Sequence, residues 1–491
     1  MLKNNRMPKG VLSIQIIQAL STFSFAIIFS SLTLYIVNQL GLSQTIANSV
    51  MGSFLAFNFV LHLLGGMLGG TYLSNRKLFL VTTVMQTIGL GLLTIVSTKF
   101  LYIGLSLFLI GCGINTTCLN TMLTERFSTN DTRREKAFFI NYSAMNAGFF
   151  AGYMFSGFFD GGNEYQNLFW IGFIVNLVTI IFIFLAWGSL KDRVELTSSN
   201  NIINKRVFTY IGLFCLVPII IFCLQHSDLS NHLVMTISVL TIGIIFIISF
   251  RQKQKIDTQK IHAFLILTIT SIIFWMIYYT GPMGITLFIK NNVDRNIGTF
   301  TVATQWVSNI NSIVIIGGAP LVAVLIDKMK AKGFNITITK QFIGSFVFLA
   351  ASFYCLSLGI LSSNAQGYTN LSWLIVHIIL QGLGELLIGP VGYAMIGKIA
   401  PKNLQSILMG TWMMVSGVSA SLSHYFSNMM VKSNAINPII TNIDYYHVFN
   451  QLGLWALLGA IVLLVLSSML NRHIEKEGET IEVLDSEEVL V

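Results

Sequence analysis

The sequence predicts an all-α membrane protein, and three observations carry that prediction. Of 491 residues, 54% are hydrophobic and only 10% charged, against roughly 25% charged in a soluble domain. The apolar residues gather into fourteen runs, each near the ~20 residues that a helix needs to cross the hydrocarbon core. The basic residues, finally, fall almost entirely on one side of those runs. Together these exclude a disordered chain, a disulfide scaffold and an ordinary soluble enzyme.

In chain order the runs lie near 12–37, 48–68, 78–98, 101–123, 138–159, 167–189, 207–224, 233–250, 263–288, 299–326, 341–361, 371–397, 404–428 and 447–471. The first follows the basic stretch Met1–Gly10 but is too long for a signal peptide and ends in no small-residue cleavage site, so it reads as a retained span. Assigning connectors alternately to two sides gathers 25 Lys and Arg on the side of the N-terminus. The other side holds only Lys99, Lys290, Arg295 and Lys432. A wrong span count would scramble this partition. The basic side is cytoplasmic, and both termini lie there. The net charge of +9 therefore reports topology. The lipid bilayer is the expected partner, and nucleic acid is not.

The runs group as six, two and six. Residues 1–190 form a first six-helix half, 191–262 a linker with an inserted helix hairpin, 263–471 a second six-helix half, and 472–491 an acidic cytoplasmic tail. A faint internal echo supports two halves. Gly65-Gly66-Met67-Leu68-Gly69-Gly70 precedes Arg76-Lys77, and Gly317-Gly318-Ala319-Pro320 precedes Asp327-Lys328. Transporters built from such repeats bind substrate near the midplane, between the repeats. The five cysteines, Cys112, Cys118, Cys215, Cys223 and Cys355, lie in apolar runs without CxxC spacing, so no metal, cofactor or disulfide framework is expected. No nucleophile–base pair points to an enzyme.

Ionisable groups inside spans are costly and mark function. Among the twenty acids the exception to loop, span-end or tail placement is Glu385, in Gln381-Gly382-Leu383-Gly384-Glu385. It sits about 18 Å from the span end at Gly397, counting 1.5 Å per residue. No basic residue lies deep in a span to neutralise it, so it either protonates or meets a cation from outside, a substrate ammonium or a transported proton. Gly389-Pro390, one turn on, predicts a kink. His62, also within a span, is able to titrate near neutrality. The remaining intramembrane amides and hydroxyls, such as Asn58, Asn115, Asn141 and Gln305, read first as helix–helix glue.

Several motifs together resemble the proton-dependent oligopeptide transporter family of the major facilitator superfamily. The turn Gly65–Lys77 is similar to its GGxxADRxxGxRx element. Ala137-Phe138-Phe139-Ile140-Asn141-Tyr142-Ser143-Ala144-Met145-Asn146-Ala147-Gly148 is similar to FYxxINxG. Gly384-Glu385-Leu386, Pro390-Val391-Gly392, Ala400-Pro401 and Met409-Gly410-Thr411-Trp412 are similar to its GEL…SPVG…LAP…MGxW series. The resemblance implies a major facilitator fold of two six-helix halves plus an inserted hairpin, in a bacterial cytoplasmic (inner) membrane, as a monomer. It implies that Glu385, Asn146 and Asn311 hold a peptide's amino end, with Trp275, Trp412 and Ser416 in the pocket.

The charged partners of that site are replaced. Where the family carries ExxER on the first helix, this chain has Gln18-Ala19-Leu20-Ser21-Thr22. The fourth-helix lysine corresponds to Thr116, the seventh-helix acid to Tyr279, and the acid and base of the first turn to Gly70-Thr71. Thr22, Thr116 and Tyr279 are therefore expected around a substrate without a cation for its carboxylate. Proton coupling is left to Glu385 and His62. A free carboxylate in such a cavity loses hydration without compensation. The expectation is secondary transport of di- or tripeptides or peptide-like amines, with altered specificity and coupling. Alternatives are a diverged transporter of a siderophore, amino acid conjugate or drug, or a receptor that binds without transporting.

Overall fold

The computed structural model describes residues 7–128, 131, 133–192, 200–252, 255–399, 404–433 and 435–475. Residues 193–199 of the expected linker, the Ala400-Pro401 motif and the acidic tail beyond Glu475 lie outside the described residues. Fifteen α-helices occur among those described: α1 Val11–Leu34, α2 Gln44–Leu68, α3 Asn75–Leu93, α4 Thr98–Thr124, α5 Arg133–Phe158, α6 Tyr165–Leu185, α7 Asn200–Gln225, α8 Ser227–Ser249, α9 Lys255–Tyr278, α10 Thr286–Asn292, α11 Thr304–Ala331, α12 Ile338–Leu361, α13 Leu371–Ile399, α14 Gln405–Met430 and α15 Pro438–Glu475. A wide turn, Gly281–Ile285, joins α9 to α10, so the two form one crossing and each of the fourteen apolar runs has its helix. Twelve of these elements are long and apolar enough to cross a membrane by length and composition. α5 and α14 are not among them. Both carry buried polar side chains in mid-helix (Asn141 and Asn146; Ser419, Ser421 and Ser423), which lower their hydropathy.

Within the first group of helices α1 packs on α5 and α6, and α3 on α4; in the last group α12 packs on α13 and α15, and α14 on α9. The inserted pair divides its attachments. α7 lies on α4 and α2, whereas α8 lies mainly on α14 and α9. Where α8 meets α14, Ser421 Oγ donates to Asn231 Oδ1 (2.7 Å) and the Asn231 amide nitrogen lies 3.2 Å from the His424 ring. All three residues are buried.

The two ends of the bundle are tied differently. At the basic, inner end the Asp192 carboxylate accepts the backbone N–H groups of Asn75 and Arg76 (2.6 and 3.4 Å), a negative charge at the positive end of α3. The Arg76 guanidinium lies 4.2 Å over the Trp187 ring and donates to the Trp187 carbonyl. At the outer end hydrogen bonds join the two groups of six. Trp306 Nε1 donates to Met154 O (2.9 Å), Asn309 Nδ2 to Phe150 O (3.1 Å), Thr33 Oγ1 to Pro282 O (2.6 Å) and Asn428 Nδ2 to Ser49 Oγ (3.2 Å). Gly157 makes the first of these contacts possible, because a Cβ there would collide with the Trp306 indole.

Two features depart from expectation. α13 is continuous in assignment through Pro390, and an unexpected break lies at Gly281-Pro282, where Met283 leaves helical geometry (φ −116°, ψ −108°). Short strands also appear at the outer end, Val293–Asp294 beside Thr369–Asn370 in parallel and Asn296–Ile297 against Phe300–Thr301. They knit loops too short and polar to carry an alternating strand pattern.

Candidate substrate site

Glu385 sits mid-way along α13, half-buried, and two other helices reach it. Asn311, on α11, donates from Nδ2 to Glu385 Oε2 (3.1 Å) and lies 3.0 Å from the Tyr278 hydroxyl at the end of α9. Gly382 lets this happen, since a Cβ there would lie 2.8 Å from Asn311 Oδ1. The carboxylate is thus held by neutral donors, and no cation pairs with it among the described residues. Such a group retains much of its pull on an incoming ammonium.

Around this centre two of the predicted aromatic residues, Trp275 and Tyr279, join Tyr278 and Phe59 in a continuous wall. Trp275 stacks with Tyr279 (5.9 Å between centroids, 28°) and meets Tyr278 edge-on at 5.3 Å. Tyr279 in turn faces Phe59 of α2 at 5.9 Å, and Phe59 faces His62 at 5.6 Å. The rings therefore run from α9 across to α2. The Nδ1 atom of His62 is buried without a partner among the described residues, while its carbonyl accepts from Thr117. Trp412 is buried against Phe342 at 6.3 Å and against the backbone at Gly392, two turns inward of Glu385.

The other predicted residues stand apart from the Glu385 contact. Asn146 is buried but donates to the carbonyl of Tyr142 on its own helix (2.9 Å). Ser416 is half-buried one turn beyond Trp412. Thr116, also half-buried, donates to Cys112 O (3.3 Å). On α1, Gln18 Nε2 donates to Thr22 Oγ1 (3.0 Å). The stretch that aligns with a charged motif is thus closed on itself by a neutral i, i+4 bond. On the α5 face that carries Asn146, Phe139, Tyr142 and Ser143 are exposed toward the inner end. The hydrogen bonds described between the two groups of six thus lie toward the outer end, away from these exposed side chains.

Two groups escape the sequence reading. Tyr278 rather than its neighbour Tyr279 touches Asn311. Asp160, just beyond α5, is a buried ion-pair hub: Lys290 Nζ lies 2.9 Å and Arg295 Nη1 3.3 Å from its oxygens, the Thr304 N–H donates at 3.0 Å and the Tyr165 hydroxyl at 3.0 Å. Burial pushes its carboxyl up, but Lys290, the Thr304 N–H and Arg295 outweigh that and hold it below the ordinary value. The signal for it lay in the charge partition, because two of the four basic residues on the outer side converge here.

Comparison with known proteins places the chain. It is 25% identical to dipeptide and tripeptide permease A of Pectobacterium carotovorum subsp. carotovorum (strain PC1), over 95% of this chain and 92% of the relative. It is 26% identical to the permease of the same name from Escherichia coli (strain K12), over 96% and 95%. Its fold matches a crystallised peptide transporter in complex with sulfate at a TM-score of 0.84, with 18% identity over 95% of this chain and 96% of the other. A transporter crystallised with 5-aminolevulinic acid matches at 0.81, with 19% identity over 94% and 97%. A profile of the POT family matches residues 76–443, three quarters of the sequence, and so the chain belongs to the POT family, the proton-dependent oligopeptide transporters of the major facilitator superfamily.

Proposed function

We propose that the protein is a secondary transporter of peptides or peptide-like amines in a bacterial cytoplasmic membrane, working by alternating access and linked to protons. The observation that carries this reading is Glu385, a carboxylate inside a span held by Asn311, which also bonds Tyr278, and paired with no cation among the described residues. A substrate ammonium docks there, with Asn146 turning from its own helix to join Asn311, and with Trp275, Tyr279, Trp412 and Ser416 bounding the pocket. Thr22 and Thr116 flank the far end. Glu385 and His62 exchange the proton. The two six-helix halves, 1–190 and 263–471, rock about this site. The dipeptide and tripeptide permeases that the chain resembles over nearly its whole length support the substrate class.

The direct test is uptake of labelled dialanine into proteoliposomes, with and without an inward proton gradient. The gradient should accelerate uptake, and Glu385→Gln should abolish it. Unchanged uptake in that variant would overturn the amine site.

The loss of cations on the carboxylate side makes a sharper claim. Gln18 and Thr22 satisfy one another, leaving nothing on α1 to neutralise a substrate carboxylate, whose desolvation is costly without a counter-charge. Dipeptide C-terminal amides should therefore stabilise the purified protein in a thermal-shift screen at lower concentration than the free acids. Preference for the free acid would refute the carboxylate argument while leaving the amine site standing.

A further inference from the structure

We infer that a cavity directly outward of Glu385 is a second recognition subsite, which takes an uncharged carboxamide on the substrate's first side chain. The inference rests on the amine reading of Glu385. The cavity, about 70 Å³ in volume, lies between α1, α5, α10, α11 and α13, and its polar lining includes Ser30, Tyr153, Tyr278, Asn311, His377 and Gln381. No Lys, Arg, Asp or Glu is among its lining residues, so a charged side chain finds no counter-ion there.

Two orphaned groups say what does fit. Gln381 is 7% exposed and its Nε2 donor has no partner among the described residues; the Asn311 Oδ1 acceptor is likewise buried and unpaired. Buried polar atoms are nearly always satisfied, so an unpaired donor and an unpaired acceptor on one cavity wall describe a complementary guest. A carboxamide offers both, its carbonyl accepting from Gln381 and its NH₂ donating to Asn311. His377, 1% exposed, supplies a second acceptor. Its Nδ1 lies 3.1 Å from the Ser352 carbonyl, which can only accept, so in the neutral ring Nε2 carries no proton. His377, Gln381 and Glu385 are spaced four residues apart along α13, which sets them about 6 Å from one another in rise. That step matches the reach from a peptide's amino nitrogen to the amide of an Asn or Gln side chain on the same residue.

Binding of dialanine, glutaminyl-alanine and leucyl-alanine to the purified full chain, measured by calorimetry, tests this. Glutaminyl-alanine should bind about tenfold tighter than dialanine, the size of one or two net neutral hydrogen bonds, and tighter than leucyl-alanine. In Gln381→Met, with its melting transition retained, the ratio of glutaminyl-alanine to dialanine affinity should fall to near one; His377→Phe should reduce it partway. Equal binding of glutaminyl- and leucyl-alanine in the natural protein, or a ratio that survives Gln381→Met, overturns the subsite and leaves the amine site intact, since dialanine would still bind. If neither the three dipeptides nor their C-terminal amides bind, the amine reading falls and this inference falls with it.

Discussion

At the scale of single residues, neighbouring tyrosines divide the work. Residues 278 and 279 point about 100° apart around α9: Tyr278 reaches Asn311, while the Tyr279 ring turns to Phe59 and Trp275. Removing the Tyr278 hydroxyl leaves Asn311 and Glu385 with one neutral hydrogen bond fewer, worth about 1 kcal/mol. Tyr278→Phe should therefore weaken dialanine binding about fivefold, measured by calorimetry. Unchanged affinity in Tyr278→Phe would mean that the pocket is read at the wrong face of α9. The centre itself was legible for a plain reason: Glu385 is conspicuous because carboxylates are so costly inside a span. Asn311 was legible through motif resemblance. Tyr278 was not, because a one-residue shift on a helix changes the direction of a side chain without changing any composition or motif. Nor did the sequence convey that Asn146 bonds to its own helix, since that depends on a side-chain torsion.

Among the elements, the run pattern located every crossing but not the break in the ninth. Two glycine–proline pairs compete for that role, and local sequence favours neither. What distinguishes them is how the freed carbonyls are treated. At Gly281-Pro282 the Gly281 carbonyl accepts both the backbone N–H and the hydroxyl of Thr286 (Oγ1 at 2.8 Å), and Thr33 of α1 donates to Pro282 O (2.6 Å). An interruption inside a membrane protein persists where protein groups satisfy the exposed backbone, and Thr33 lies nearly 250 positions away in the chain, beyond the reach of local reading. Thr33→Val should leave the buried Pro282 carbonyl without its partner and lower stability by about 1–3 kcal/mol, read as a lower melting temperature in detergent; Thr33→Ser should restore it. An unchanged melting temperature in Thr33→Val would show that the break is held by other contacts.

For the whole molecule the question is what keeps the outer end shut. The bonds from α5 to α11 and from Asp160 to Lys290, Arg295 and Thr304 all cross between the halves at one end, so alternating access must break them together. Asp160 is their only charged acceptor among the described residues, and removing one side of a buried ion pair strands the other at a cost of about 3–5 kcal/mol. Asp160→Asn should therefore tilt the protein toward outward opening. In a cysteine-free background carrying Ser308→Cys, labelling by a membrane-impermeant maleimide from outside should rise severalfold when Asp160→Asn is added. Because the folded Asp160 carboxyl titrates below its ordinary value of 3.8, the closed state binds fewer protons than a state with the carboxyl free. The stabilisation is then fully present above 3.8 and is lost as the pH falls through the lowered folded value. Between pH 5 and 8 the outer closure should thus be indifferent to protons, and labelling in the Asp160-intact protein should stay flat across that range. A rise in labelling on passing from pH 8 to pH 5 would place the proton switch at the outer gate; a flat profile, together with proton-driven uptake, leaves coupling to the groups at mid-depth, Glu385 and His62.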